Sequence, residues 1–143
     1  MNRFQTCLLI VFAFALPLFA GCDKSTDRAA RETSRDIGTV TLQVYFGAGK
    51  TSKNCNVVCS PDSTVLMTLE RAQQTGELKF ESTGSGETTF VKSIDGLTNE
   101  GADGKNWIYR VNEKLGDKSA GIYKVSPGDI ISWSWGAPPE ELK

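Results

Sequence analysis

The sequence has no histidine among its 143 residues. That excludes Ser-His-Asp and Cys-His nucleophilic catalysis, histidine-ligated zinc and histidine-based pH switching. An excess of either charge is missing too: 16 Lys and Arg stand against 17 Asp and Glu, a formal net charge of −1. A nucleic-acid binder needs a basic face to neutralise phosphates, and this composition gives no footing for one. No apolar run reaches the roughly 20 residues that a membrane-spanning helix needs. Cysteine is scarce, at four. What remains is 39% hydrophobic and 23% charged, enough for a core and too apolar for wholesale disorder. The length suits about one domain.

Residues 1–21 read as a bacterial export signal. Arg3 and the free amine make a short positive start, and Cys7 to Phe19 is thirteen residues long and nearly all apolar, broken by Pro17. Phe19-Ala20-Gly21-Cys22 resembles the lipobox of bacterial lipoproteins, in which the cysteine thiol takes a diacylglycerol and cleavage falls just before it. Phe19 departs from the Leu, Val or Ile usual at its position. The resemblance implies lipidation at Cys22, membrane lipid as a partner, and a place in the cell envelope facing the periplasm or the cell exterior. An ordinary secretory signal with an incidental cysteine is the plainer alternative. Acyl chains on Cys22 would hold firmly, since each buried methylene adds about 0.8 kcal/mol. Residues 23–36 carry four acids, four bases and no apolar residue larger than Ala, so residues 22–36 are expected to form a solvated tether.

The remainder reads as strands around one helix. Val40, Leu42, Val44 and Phe46 alternate with Thr39, Thr41, Gln43 and Tyr45, the pattern of a half-buried strand. A short second strand is expected near Asn56–Ser60. Asp62 or Ser63 then offers an N-cap to a helix over Thr64–Gln74, with Val65, Leu66, Leu69 and Ala72 as its apolar stripe and Gly76 as its stop. Strands are expected at Leu78–Ser82, Thr88–Ile94, Trp107–Val111, Gly121–Val125 and Ile130–Trp135. The economical arrangement is α+β: one helix packed on a mixed β-sheet, β-grasp-like.

Three stretches carry a family resemblance. They are Asp62–Glu70 with the strand before it, Phe90–Gly96, and Trp107–Asn112 followed by Gly121–Trp133. Together they resemble the transcobalamin-like C-terminal domain, a family grouped with soluble-ligand-binding β-grasp domains whose bacterial members are of unknown function. The resemblance covers about residues 38–136. It implies a domain at 37–137 followed by a tail at 138–143. In the vitamin-transport proteins the corresponding domain closes over one face of cobalamin while a larger helical domain holds the other. This chain has no such helical domain, so the resemblance implies a small-ligand-binding fold and not cobalamin itself. Glu113 departs from the glycine common after the asparagine, which affects the turn at that hairpin tip.

Candidate ligand-binding residues follow from aromatic alternation. Trp107, Tyr109 and Val111 share one strand face, and Ile131, Trp133 and Trp135 share another. If these strands are neighbours, an aromatic stripe results, suited to stacking against a flat ligand, a sugar or a partner peptide. Val111, Ile131 and Trp133 are expected in the core, and Trp135, next to Gly136-Ala137-Pro138-Pro139, partly exposed. Arg110 points away from Trp107 and Tyr109, either holding an anionic group or solvated.

Export would remove Cys7 and commit Cys22 to lipid, leaving Cys55 and Cys59 in an oxidising compartment. Four positions on a straight strand span about 13 Å, beyond the roughly 7 Å limit for bridging. They bond only if Asn56-Val57-Val58 turns or bulges, and on that condition Cys55 and Cys59 are disulfide candidates. Gly47-Ala48-Gly49-Lys50-Thr51 imitates a phosphate-binding loop, but its first glycine position is Val44 and no helix follows, so it reads as a hairpin turn. Asn99, Glu100 and Asp103 match no standard calcium loop. Nothing points to a cofactor, a metal or a catalytic residue. The leading expectation is a non-catalytic, membrane-anchored module that binds a small molecule or a glycan. The alternative is a structural module that docks an envelope protein through an open sheet edge or hairpin tip.

Overall fold

The structure, a computed structural model, describes residues 37–48, 50–137 and 139. The expected export signal, Cys22, the tether and most of the tail lie outside those residues. The fold is α+β. Five strands form the main sheet: β1 (Gly38–Tyr45), β2 (Lys53–Cys59), β6 (Asn106–Val111), β7 (Lys114–Leu115) and β8 (Ile130–Gly136), in the order β2-β1-β8-β6-β7. The first and last long strands, β1 and β8, run parallel at the centre, and the other pairs are antiparallel. A second sheet holds β3 (Phe80–Thr83), β4 (Phe90–Ile94) and β5 (Leu97–Thr98), in that order. One α-helix among the described residues, α1 (Val65–Gln74), packs on β2 and β3.

The alternation of β1 sets the layering. Val40, Leu42 and Val44 are buried, while Thr39 and Tyr45 are exposed. The buried face meets Val65, Leu69 and Ala72 of α1 in one apolar core. Burying each of these side chains contributes about 1.5–3 kcal/mol, except for the smaller Ala72.

The helix starts one residue later than expected. Thr64 is the N-cap, in extended conformation, and its hydroxyl accepts from the Met67 N–H at 3.3 Å. Asp62 instead pairs with Lys124 at 2.9 Å, and the buried Ser63 hydroxyl accepts from Ser60 N–H and from Arg71 Nη1, each at 2.8 Å. At the other end Gly76 adopts φ +80°, and the Glu77 N–H reaches the Ala72 carbonyl at 2.9 Å, closing the helix with a left-handed cap.

Gly121–Val125 is not a strand. Only an isolated bridge joins Lys124 to Thr64. Its backbone groups serve the helix start: the Tyr123 and Ala120 carbonyls accept from the Val65 and Leu66 N–H groups at 3.0 and 2.9 Å. Those amides are among the four that no helix can satisfy internally, so the segment gives up ladder bonds to cap them.

The turn at Asn112-Glu113 keeps the left-handed geometry that a glycine would favour, with φ +49° and +70°. Asn112 anchors it, donating to Asp129 Oδ1 at 2.7 Å and accepting from the Ile130 N–H at 2.9 Å. Between β1 and β2 the Lys50 N–H bonds to the Gly47 carbonyl at 3.3 Å, and the chain proceeds into a strand, as a hairpin connection does.

Candidate functional site

Strands β6 and β8 bring four aromatic rings onto one face. Their register sets Trp107 opposite Trp135 and Tyr109 opposite Trp133. Within that set, burial divides the rings. Trp107, Tyr109 and Trp133 are less than a tenth exposed, and Trp135 is half-buried at the strand end. Trp107 and Tyr109 therefore do not form an open stacking platform. The second sheet and the segment after β7 cover them, a covering that strand alternation cannot show.

Trp107 Nε1 donates to the Leu97 carbonyl at 2.7 Å, and Phe46 meets its ring edge-on at 5.5 Å. The Tyr109 hydroxyl donates to the Lys118 carbonyl at 2.5 Å. Burial, with smaller contributions from Tyr123 and Asp117, pushes the Tyr109 phenol up to about 12. It is therefore a neutral hydrogen-bond donor at any physiological pH.

Trp135 has different surroundings. Its Nε1 makes only a long bond, 3.4 Å, to the Thr98 carbonyl. Lys105 Nζ lies 5.0 Å and Lys50 Nζ 5.9 Å from the ring centroid, within cation–π range. Both lysines are exposed. The hairpin tip, the loop before β6 and the end of β8 thus converge on one accessible indole carrying two ammonium groups.

Arg110 lies on the opposite face of β6, where its Nη1 donates to the Glu113 carbonyl at 3.3 Å. The fold brings together Trp107, Tyr109 and Trp135 and leaves Arg110 apart.

A hollow of about 170 Å3 sits between the aromatic wall, the start of β4 and residues 118–120. Beside the rings, Val91 and Ala120, its lining includes Phe90, Thr89, Lys118 and Ser119. The sequence reading missed these four. Phe90, the aromatic first residue of β4 and exposed, was the available signal. A larger, open depression of about 560 Å3 lies below the helix end, lined by Gln73, Lys79, Phe80 and Glu81 among others. There Gln73 Oε1 is already engaged by the Phe80 N–H at 2.8 Å.

Cys55 and Cys59 are both free thiols, so the disulfide expected between them is not formed. Strand β2 continues through both, opposite Leu42 and Gly38 of β1 without a register shift, so neither the turn nor the bulge that bonding requires is present. Burial pushes both thiols up, which favours their protonated form. In the loop before β6, Asn99 Oδ1 accepts from the Trp107 N–H at 2.7 Å and Glu100 Oε2 from the Lys105 N–H at 2.8 Å. These oxygens hold the loop's own backbone. Among the described residues, no three His, Cys, Asp or Glu side chains converge to hold a metal ion.

Known proteins add a family to this geometry. The family described as "Domain of unknown function (DUF4430)" matches residues 62–137. The chain belongs to that family. Among solved structures it is similar to haptocorrin in complex with Cbi, at 20% identity and a TM-score of 0.58, over 72% of this chain and 26% of that one. A second similar structure is described as a "putative metal binding protein" from Ruminococcus gnavus, at 19% identity and a TM-score of 0.50, over 71% of this chain and 99% of that one. At such identities the likeness is one of fold, and it agrees with the expected transcobalamin-like domain. This chain spans about a quarter of the haptocorrin length. No curated protein matches the chain in sequence.

Proposed function

We propose that this member of the family is a non-catalytic ligand-binding module, exported and anchored through lipid on Cys22, that holds a flat, negatively charged small molecule or glycan at Trp135. The observation that carries the reading is the half-open indole with Lys50 and Lys105 over its ring. An aromatic face supplies area at low entropic cost, and two ammonium groups beside it favour an anion. The likeness to haptocorrin supports a binding role, and the hollow's volume limits what can be enclosed. About 170 Å3 is below the roughly 300–1,000 Å3 of ordinary ligand pockets. A corrinoid or an oligosaccharide would therefore lie across the open sheet rim at Trp135, beside the hollow and not in it, with its other face free or held by a partner.

The test is thermal unfolding of the protein with corrinoids, haem-like planar acids and envelope glycans, with tryptophan fluorescence recorded alongside. A saturable rise in melting temperature that Trp135→Ala abolishes supports the reading, because a ligand bound only by the native state stabilises it. Rises that persist in Trp135→Ala, or none with any ligand, count against it.

A second reading rests on the other face of the main sheet. Val58 and Ile130 are 57% and 46% exposed there, opposite Thr39 and Thr41 of β1, and Ile37, just ahead of β1, is 58% exposed. Such a face, with β2 at its edge, suits docking to an envelope protein. Val58→Asp would abolish that docking and leave ligand-induced stabilisation intact.

A further inference from the structure

Two residues that line the hollow beside β4 each carry a buried polar atom that the protein itself leaves without a hydrogen bond. The atoms are Trp133 Nε1 and Thr89 Oγ1. Trp133 is only 2% exposed, and both residues line the hollow. Other side chains of the lining are engaged: Trp107 Nε1 with Leu97, the Tyr109 hydroxyl with Lys118, and Ser119 Oγ within 3.0 Å of the Gly86 and Thr89 carbonyls. Leaving a buried donor unmade is expensive, so two such atoms among the residues of one lining need an explanation.

We propose that this hollow is a binding subsite for a single ring-sized apolar group bearing a carboxylate or carbonyl oxygen. This rests on the reading of the chain as a ligand-binding module and names what one part of the ligand looks like. The size fits, since a cavity of about 150 Å3 lined by apolar side chains holds benzene. The chemistry follows from the donors. An indole N–H can only donate, so its partner must be an acceptor. The Thr89 hydroxyl is a second unpaired donor among the lining residues. The small uncovered parts of Trp107, Tyr109 and Trp133 form its inner wall, and the exposed Phe90 and Lys118 complete it on the solvent side. The Lys118 ammonium favours a carboxylate over a neutral carbonyl. A free small acid and the protruding end of a larger ligand present the same chemistry here.

The chain has three tryptophans, so the 15N-labelled full chain shows three indole N–H resonances, and each reports a separate place. Trp107 and Trp135 already donate within the protein, and Trp133 does not. Benzoate, benzamide and toluene are titrated up to about 10 mM, where even a millimolar site is nearly saturated. Benzoate and benzamide are expected to move the Trp133 resonance downfield and saturably, and toluene is not. Thr89→Val should weaken both by about 3–10-fold, the worth of one hydrogen bond. Lys118→Ala, at an exposed position, should remove the preference for benzoate over benzamide. A Trp133 resonance unmoved by either oxygen-bearing probe shows a space that only water enters, and overturns the proposal. Equal movement with toluene overturns it as well. The Trp135 resonance keeps the two readings apart. Movement there with a larger planar acid, while Trp133 stays still, leaves the rim reading standing and sinks the subsite. Competition between such an acid and benzoate at Trp133 identifies the protruding end of a larger ligand; its absence identifies a free small acid.

Discussion

The two halves of the buried sheet face are built differently. Over β1 and β2 the core is aliphatic, with Val40, Leu42, Val44 and Val57 against Val65, Leu69 and Ala72 of the helix. The polar side chains buried nearby are satisfied: Thr68 donates to the Val65 carbonyl at 2.7 Å, and Ser63 is bonded to Arg71. Over β6 and β8 the core is aromatic and its cover is assembled from three separate segments. That half contains the hollow, the two unpaired polar atoms and the half-open Trp135. Helix and sheet meet along continuous apolar stripes, so one half closes tightly. Large rings under short strands and loops leave gaps, and the gaps are where recognition can occur. The difference teaches that one sheet face combines a closed half that carries stability with a gapped half, and the binding proposed above falls on the gapped one.

The sharpest test of that division is Leu69→Ala. Leu69 is fully buried on the tight side, so urea unfolding should show a loss of about 2–5 kcal/mol. A loss under about 1 kcal/mol would mean that the helix side is loose as well, and the comparison would fail. The next effect is alkaline. Below pH 10 the Tyr109 phenol is protonated in both folded and unfolded chains, and it contributes no pH dependence. Between 10 and about 12 the unfolded chain has released that proton and the folded chain keeps it. Stability therefore falls as pH rises through that window. Denaturation midpoints measured across it should decline less steeply in Tyr109→Phe than in the native sequence. Equal slopes would show that Tyr109 is not desolvated and that the aromatic half is more open than described.

The tight half was also the legible half. The alternation of β1 and the stripe Val65, Leu69, Ala72 are local patterns, each readable within one element, and they give the α+β class. The N-cap was misplaced by one or two positions because Asp62, Ser63 and Thr64 are all good caps, and distant Lys124 and Arg71 decide which of them are otherwise occupied. Residues 121–125 have a strand's composition, but their backbone is claimed by a helix start some 60 positions earlier in the chain, as the bonds Val65 to Tyr123 and Leu66 to Ala120 show. The aromatic half depended on such distant encounters throughout. Trp107, Tyr109 and Trp135 were visible as a stripe with Trp135 as its more exposed end, but the burial of Trp107 and Tyr109 was not, because Leu97, Phe46 and Lys118 cover them from three other segments. A hollow between β4, β6 and the 118–120 segment has no signature in any one of them.

The smaller effects bear on the loose half itself. Trp133→Phe removes buried area, which destabilises, and also removes an unpaired N–H, which offsets part of that loss. The net cost should be about 1 kcal/mol, well below the cost of truncating Leu69. A cost as large as that of Leu69→Ala would show that Trp133 is packed as tightly as the helix side. Thr89→Val is the finest probe. The two side chains have nearly the same shape, and the Thr89 hydroxyl has no partner to lose. In a core built solely for stability, replacing an unpaired buried hydroxyl by a methyl group should be neutral or stabilising, by up to about 1 kcal/mol. The same change should weaken a ligand that needs the hydroxyl. Stability unchanged or raised while benzoate affinity falls would therefore mark Thr89 as kept for recognition and not for folding. If stability falls instead, the hydroxyl bonds to something within the folded protein, and the contrast between the two halves narrows to the single indole of Trp133.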